Sequence, residues 1–289
     1  MNTVCLYSSY FNQSSIPYYV KIYLENIVSF FSETIFVTND KELDSESLSF
    51  LNDNKISLLK VKNEGYDFGM WYKAILKLDT TLYQQIALVN DSCILFKPLD
   101  EFMNWSKNDK SDLQGITRSE AFSNHIQSYF LIINKNAIQD AVDYFNLHKI
   151  LSNVSDVIES YEIGLSKYLI SKGFKIGSFI DNNGYIGEFS PYYYCIDYHI
   201  SNGIPIIKKK VLFESYRKDE LLTLARMNFN ISVLYYIELI KKNNKVLVID
   251  FNNLEMDVVG NMTWFAKIKY LFMVKFINFV RLFRKSNND

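Results

Sequence analysis

The feature that most limits what this chain can fold into is an alternation. Short apolar runs of strand length, each closing on a polar cluster, are separated by stretches of helical periodicity. Val4 to Tyr7 is apolar and opens into Ser8, Ser9, Tyr10 and Asn12. Tyr19, Ile22, Tyr23, Ile27 and Phe30 follow at helical intervals after Pro17, a residue suited to a helix start. Thr34 to Val37 is a second run, Ile56 to Val61 a third and Gln85 to Val89 a fourth. Past Gln85 the fourth is apolar, as a central parallel strand buried on both faces must be. Helices are expected from about Met70 to Leu78, near Leu99 to Trp105, and from Ser155 to about Ser171, where Gly173 stands ready to end the last one. Leu113 to Thr117 reads as a further strand, and His125 to Ile133 as a strand entering the sheet from the edge where the polar clusters gather. The expected fold class is α/β, with a mainly parallel mixed sheet and a ligand crevice beyond its carboxyl ends.

Composition narrows the function classes. With 289 residues, 48% of them hydrophobic and 22% charged, the chain buries a sizeable core and is no disordered tail. Its 31 basic and 32 acidic side chains create no overall field that draws nucleic acid. Cys5, Cys93 and Cys195 lie far apart without a CxxC pair, which argues against a disulfide framework and a thiolate zinc site. The opening MNTVCLYSSYFN lacks the basic and apolar regions of a secretory signal, so a cytoplasmic location is expected. GxSxG, GxxxxGK[ST] and HExxH are absent.

Four places carry chemistry, and each has two readings. Asn63-x-Gly65-x-Asp67-x-Gly69 stands between a strand and a helix start, where free N–H groups favour an anion such as a nucleotide phosphate. The same pattern also describes a glycine turn with Asp67 as a helix cap. Asn90-Asp91-Ser92 ends the most apolar strand: Asp91 either caps the next turn or projects into the crevice, where its oxygens suit Mg²⁺ or Mn²⁺ bridging a diphosphate. His125, Gln127 and Tyr129 share strand parity, so unless a bulge intervenes they face one side and offer contacts to sugar hydroxyls or phosphate. Glu162, among Ile158, Tyr161, Ile163 and Leu165, is either on a solvated helix face or a carboxylate whose apolar surroundings raise its pKa and fit it to act as a general base.

The last segment differs in character. Lys267, Lys275, Asn278, Arg281 and Lys285 share one sector of a helical wheel opposite Phe265, Ile268, Phe272, Phe276, Phe279 and Phe283. Charges interrupt this run too often for a membrane span. A basic amphipathic helix with large aromatics suits the surface of an anionic membrane, and a terminal helix docked on the core is the other reading.

Taken together, NEGYDFGMWYKAI, YQQIALVNDSCILF, HIQSYFLIINKNAI, YEIGLSKYLISKG and IPIIK resemble, in order, blocks of the rhamnan synthesis protein F family of bacterial glycosyltransferases, from about residue 3 to about 215. The resemblance implies a GT-A-like, Rossmann-like nucleotide-sugar-binding fold over 1–215; beyond it, the residue pattern itself reads as a helical extension over 216–262 and the basic amphipathic helix over 263–289. It implies inverting transfer of a sugar, rhamnose from dTDP-rhamnose as the family's named activity, to a lipid-linked saccharide or growing polysaccharide such as O-antigen, capsule or rhamnan; the C-terminal helix would hold the chain to the inner leaflet of the cell membrane. Residue by residue, Asn63, Gly65 and Asp67 match the block bordering the nucleotide. Asn90 and Asp91 match the block that stands where many such folds carry Asp-x-Asp, making Asp91 the candidate for metal or diphosphate contact. His125, Gln127, Ser128 and Tyr129 match the block lining the sugar or acceptor pocket, Glu162 the catalytic base, and Lys208 the cation facing the departing diphosphate. A second acid beside Asp91 is lacking in the local sequence, which leaves a divalent cation an open expectation. A UDP-sugar donor, or a non-catalytic sugar-binding subunit of an assembly complex, are the alternatives.

Overall fold

The computed structural model describes residues 2–120, 123–181 and 196–209. Strand β1 (Thr3–Ser9) leads into α1 (Tyr18–Ile27), β2 (Glu33–Asn39), α2 (Ser45–Asp53), β3 (Ser57–Val61) and α3 (Tyr66–Ile75). Then come β4 (Gln85–Asn90), β5 (Cys93–Leu95), α4 (Asp100–Asn108), β6 (Leu113–Ser119), β7 (His125–Ile126), β8 (Phe130–Asn134) and α5 (Lys135–His148). The segment α6 (Val154–Val157) runs through a π-helical turn (Ile158–Ile163) into α7 (Gly164–Ser171), followed by β9 (Ile176–Ile180), α8 (Ile196–Ser201) and β10 (Ile206–Lys208).

The main sheet has eight strands in the order β3-β2-β1-β4-β8-β6-β7, with β9 also on β6. Pairings along β3-β2-β1-β4 are parallel, whereas β8 runs antiparallel to both β4 and β6. This is the α/β fold with a mainly parallel mixed sheet that the alternation of runs calls for. β4 sits in the middle, and its side chains from Ile86 to Val89 are all buried. Strand parity divides the core in two. Cys5 and Tyr7 of β1 pack on one face with α1 and α4, while Val4 and Leu6 pack on the other with α3 and α5. On that second face the Trp71 indole is fully buried and its Nε1 donates to the Val89 carbonyl at 3.3 Å, tying α3 to the centre of the sheet.

Two expectations change. The helix read from Met70 begins earlier, at Tyr66, because Gly65 supplies its cap with φ of 78°. The single strand read from His125 to Ile133 is two: β7 pairs with the tip of β6 (Ser119↔His125), β8 pairs with β4, and Gln127, Ser128 and Tyr129 turn between them. Shared parity of His125, Gln127 and Tyr129 is lost with that turn. The readings of a helical extension over 216–262 and an amphipathic helix over 263–289 lie outside the described residues. No described helix is long and apolar enough to cross a membrane.

Candidate functional site

The carboxyl ends of β1, β3, β4 and β6 meet at one edge of the sheet, and the candidate side chains gather there in two groups. The first surrounds the tip of β1. Consecutive residues of a strand face opposite sides, so Ser8 and Ser9 reach opposite ways. Ser8 Oγ donates to Asp67 Oδ1 at 3.3 Å on the α3 side, and Ser9 Oγ donates to Asp91 Oδ2 at 2.9 Å on the α1 side. Asp67 therefore does not cap α3, a task left to the Gly65 backbone, but turns toward the strand tip. Asn90 and not Asp91 shapes the turn after β4: its Oδ1 accepts from Ser92 N at 3.0 Å and from Ser92 Oγ at 2.5 Å. Asp91 is thereby left to project, with its side chain 13% exposed.

The loop before α3 is built by close approach. A Cβ on Gly69 would stand 1.9 Å from the Glu64 carbonyl oxygen, so only glycine lets the first turn fold back on residue 64. Its N–H donates to Gly65 O at 2.8 Å. Asn63 is exposed at the start of this loop.

Burial, joined by the charge of Asp91, pushes the Asp67 carboxyl up to about 7, with Ser8 and Lys209 pulling the other way. The folded value stands above the ordinary 3.8. Asp67 therefore keeps its proton in the native state while the unfolded chain has released it, and stability declines as pH rises from about 4 to about 7. Asp67→Asn, which keeps the acceptor for Ser8, should be more stable than the parent by about 2 kcal/mol at pH 8 and equal to it near pH 4, the figure discounted for partial exposure. Urea unfolding at the two pH values measures this; a variant less stable at pH 8 would show that the carboxylate is well accommodated.

The second group centres on Glu162. It lies in the π-helical turn, which is held by Tyr144 Oη donating to the Ser160 carbonyl and Tyr161 Oη to the Lys149 carbonyl. The Tyr161 ring stacks on Phe68 at 4.9 Å and 11°, so neighbours of Glu162 and Asp67 are locked together. Ser128 Oγ donates to Glu162 Oε2 at 2.6 Å, and His125 Nε2 stands 3.6 Å from Oε1, with its Nδ1 at 2.8 Å from the Ser123 carbonyl. Glu162 is 24% exposed and is not on an open solvated face. Burial alone would raise its pKa, as the second of the two sequence readings had it, but hydrogen bonding from His125 and Ser128 and the charges of Lys208 and His125 outweigh it and lower the pKa. The structure corrects that expectation: Glu162 is a carboxylate at neutral pH.

The sugar-pocket candidates divide between the site and the interior. His125 and Ser128 touch Glu162, while Gln127 and Tyr129 are buried and meet at Thr117, whose Oγ1 donates to Gln127 Oε1 at 2.8 Å. Asn90 joins the two groups, since its N–H donates to the Tyr129 carbonyl at 3.3 Å. Lys208 and Lys209 join them from the other side. Lys208 Nζ lies 6.0 Å from the Tyr129 ring centre, and its charge reaches Glu162. Lys209, absent from the sequence-based candidates, stands 3.3 Å from Asp91 Oδ2 and donates to Tyr19 Oη at 3.2 Å. Ser8, Ser9 and Tyr19 are the other members that sequence reasoning missed. The only signal for the serines was their place at the tip of an apolar run.

A divalent cation at Asp91 would need oxygen ligands beyond that one carboxylate. Among the described residues no group of three or more His, Cys, Asp or Glu side chains stands close enough to hold a metal ion. Asp91 Oδ2 already carries the Lys209 ammonium and the Ser9 hydroxyl, and Tyr19 also hydrogen-bonds this carboxylate. Asp67, the second acid, approaches from the opposite face of β1 and titrates near neutrality. This set does not fit an ion held by the described side chains alone.

Comparison with known proteins adds a family. A family model for rhamnan synthesis protein F matches residues 34–278. No curated protein matches the chain. Among solved structures, a cytidylyltransferase from Leptospira borgpetersenii is 13% identical, with 84% of this chain and 95% of that one covered and a TM-score of 0.40. A 4-diphosphocytidyl-2C-methyl-D-erythritol synthase from Anaerococcus prevotii is 11% identical over 65% of this chain and 93% of its own, with a TM-score of 0.42.

Proposed function

We propose, from the premise that this chain belongs to the rhamnan synthesis protein F family, that it is a nucleotide-sugar-dependent glycosyltransferase. The observation that carries the reading is Glu162: a carboxylate kept ionised by Ser128, His125 and Lys208, at the same sheet edge as Asp67 and Asp91. An ionised carboxylate with one flank open accepts a proton from an alcohol. The reading is a single displacement with inversion. Glu162 takes the proton of an acceptor hydroxyl, the oxygen bonds to the anomeric carbon, and the bond from that carbon to the phosphate oxygen breaks with its electrons leaving on the nucleoside diphosphate. His125 and Ser128 orient the base. Lys208 offsets charge on the leaving group, and Asn63, Gly65, Asp67, Asn90 and Asp91 border the nucleotide.

Family membership favours dTDP-rhamnose as donor and a lipid-linked saccharide or cell-envelope polysaccharide as acceptor, with a UDP-sugar as the second reading. A thermal-shift panel of dTDP- and UDP-sugars tests donor use, because a ligand of the native state raises its apparent melting temperature. A rise with dTDP-rhamnose above that with UDP-sugars is expected; no rise with any of them would leave the reading without a donor. Attachment of residues 263–289 to the inner face of the cell membrane belongs to the same proposal. Equal pelleting with anionic liposomes by the full chain and by a version ending at Gly260 would remove it.

A further inference from the structure

The backbone, and not a flexible side chain alone, delivers Lys209 to this site. Strand β10 runs antiparallel to β5, the strand that begins just after Asp91, with Lys208 opposite Cys93. One residue on, the Lys209 N–H donates to the Ser92 carbonyl at 3.0 Å, so the Cα of Lys209 is pinned beside the Asn90-Asp91-Ser92 turn. From there its ammonium lies 3.3 Å from Asp91 Oδ2, 3.2 Å from the Tyr19 hydroxyl and 5.2 Å from the Tyr19 ring centre. Tyr19 in turn bonds to Asp91. The stem of Lys209 is 20% exposed, which leaves it a route to the crevice.

A positive charge placed at the tip of the central strands is what a diphosphate arriving there requires. A divalent ion on Asp91 Oδ2 would compete with this ammonium, whose charge also reaches Asp67. An ammonium on a four-carbon stem is also the kind of point charge that transfers readily from a carboxylate to a phosphate oxygen.

We propose that Lys209 is the cation that engages the donor diphosphate, parked on Asp91 and Tyr19 until the nucleotide enters, and that the chain therefore binds nucleoside diphosphates without a divalent metal. This rests on the nucleotide-sugar reading above and deepens it. Asp91 then acts as a positioning residue for Lys209. Lys208, one residue earlier, also carries its charge toward Glu162, so both lysines bear on the diphosphate and Lys209 does so from the Asp91 side.

The test is titration calorimetry of dTDP and UDP into the full chain, once with excess EDTA and once with excess Mg²⁺. At least one diphosphate should bind in EDTA within about threefold of its affinity in Mg²⁺. Lys209→Met should weaken that binding in EDTA by about tenfold or more, because a charge-assisted contact is lost. The matching nucleoside monophosphate, dTMP or UMP, should change by less than about threefold. Lys209→Arg should keep most of the affinity, and unchanged melting of the variants shows that they fold. Binding that appears only with Mg²⁺, or a Lys209→Met variant equal to the parent, overturns the proposal while leaving the nucleotide-sugar reading in place. Binding of neither diphosphate under either condition overturns that reading and this proposal together.

Discussion

Glu162→Gln is expected to lower the transfer rate by about 10²-fold or more while leaving donor binding within about threefold of the parent. The amide keeps the shape of the side chain and an oxygen to accept from Ser128, so the turn that carries it need not move. What disappears is the acceptor of the proton. Because hydrogen bonding and nearby cations hold the Glu162 carboxyl below its ordinary value of 4.5, against the effect of burial, kcat/KM measured with Asp67→Asn, which removes the carboxyl titrating near 7, should stay level from neutral pH down past 5 and decline only in stronger acid. The sign follows from the role: a base works ionised, and a lowered pKa extends the working range toward acid. An acid limb near pH 6 to 7 that persists in Asp67→Asn, or normal turnover by Glu162→Gln, would assign the base elsewhere.

The second large effect is on the fold itself. Gly69→Ala should destabilise the chain by about 2–4 kcal/mol. The added Cβ meets main chain, the Glu64 carbonyl oxygen at 1.9 Å and its carbon at 2.8 Å, and no side-chain rotation relieves that. The turn must open. Gly65 and Asp67 move with it, and the stack of Phe68 on Tyr161 carries the disturbance toward Glu162. Nucleotide binding should therefore weaken together with stability. Urea unfolding and dTDP titration of the same sample measure the two, and a variant that matches the parent in both would show that the close approach at residue 69 is dispensable.

Much of this arrangement was legible in the sequence because its causes are local. A strand buried on both faces has to be apolar, so Gln85 to Val89 identified itself, and the position of Asp91 followed. The glycines at 65 and 69 announced a turn that only they can make. Pairing between distant segments leaves no comparable mark. Lys209 joins Asp91 through the β5–β10 register, and within the run Lys208-Lys209-Lys210 nothing local says which lysine faces which way. The same holds for the turn at Gln127 to Tyr129. An alternating run reads as one strand until β6 and β4 claim its two halves, and that choice sent His125 and Ser128 to Glu162 and buried Gln127 and Tyr129 at Thr117. Glu162 was placed on a helix correctly, but its charge state depends on partners from another strand. Local apolar neighbours gave the wrong direction for its pKa.

The most direct measurement of the central claim, that these strand ends seat an activated sugar and hand it to an alcohol, follows both products of one reaction. The purified chain is mixed with dTDP-rhamnose and a lipid-linked saccharide. Release of dTDP should match, mole for mole, the appearance of an extended saccharide whose new linkage has the anomeric configuration opposite to the donor's. A chain that binds the donor yet leaves both the nucleotide and the saccharide unchanged, with UDP-sugars as well as dTDP-sugars, would contradict it.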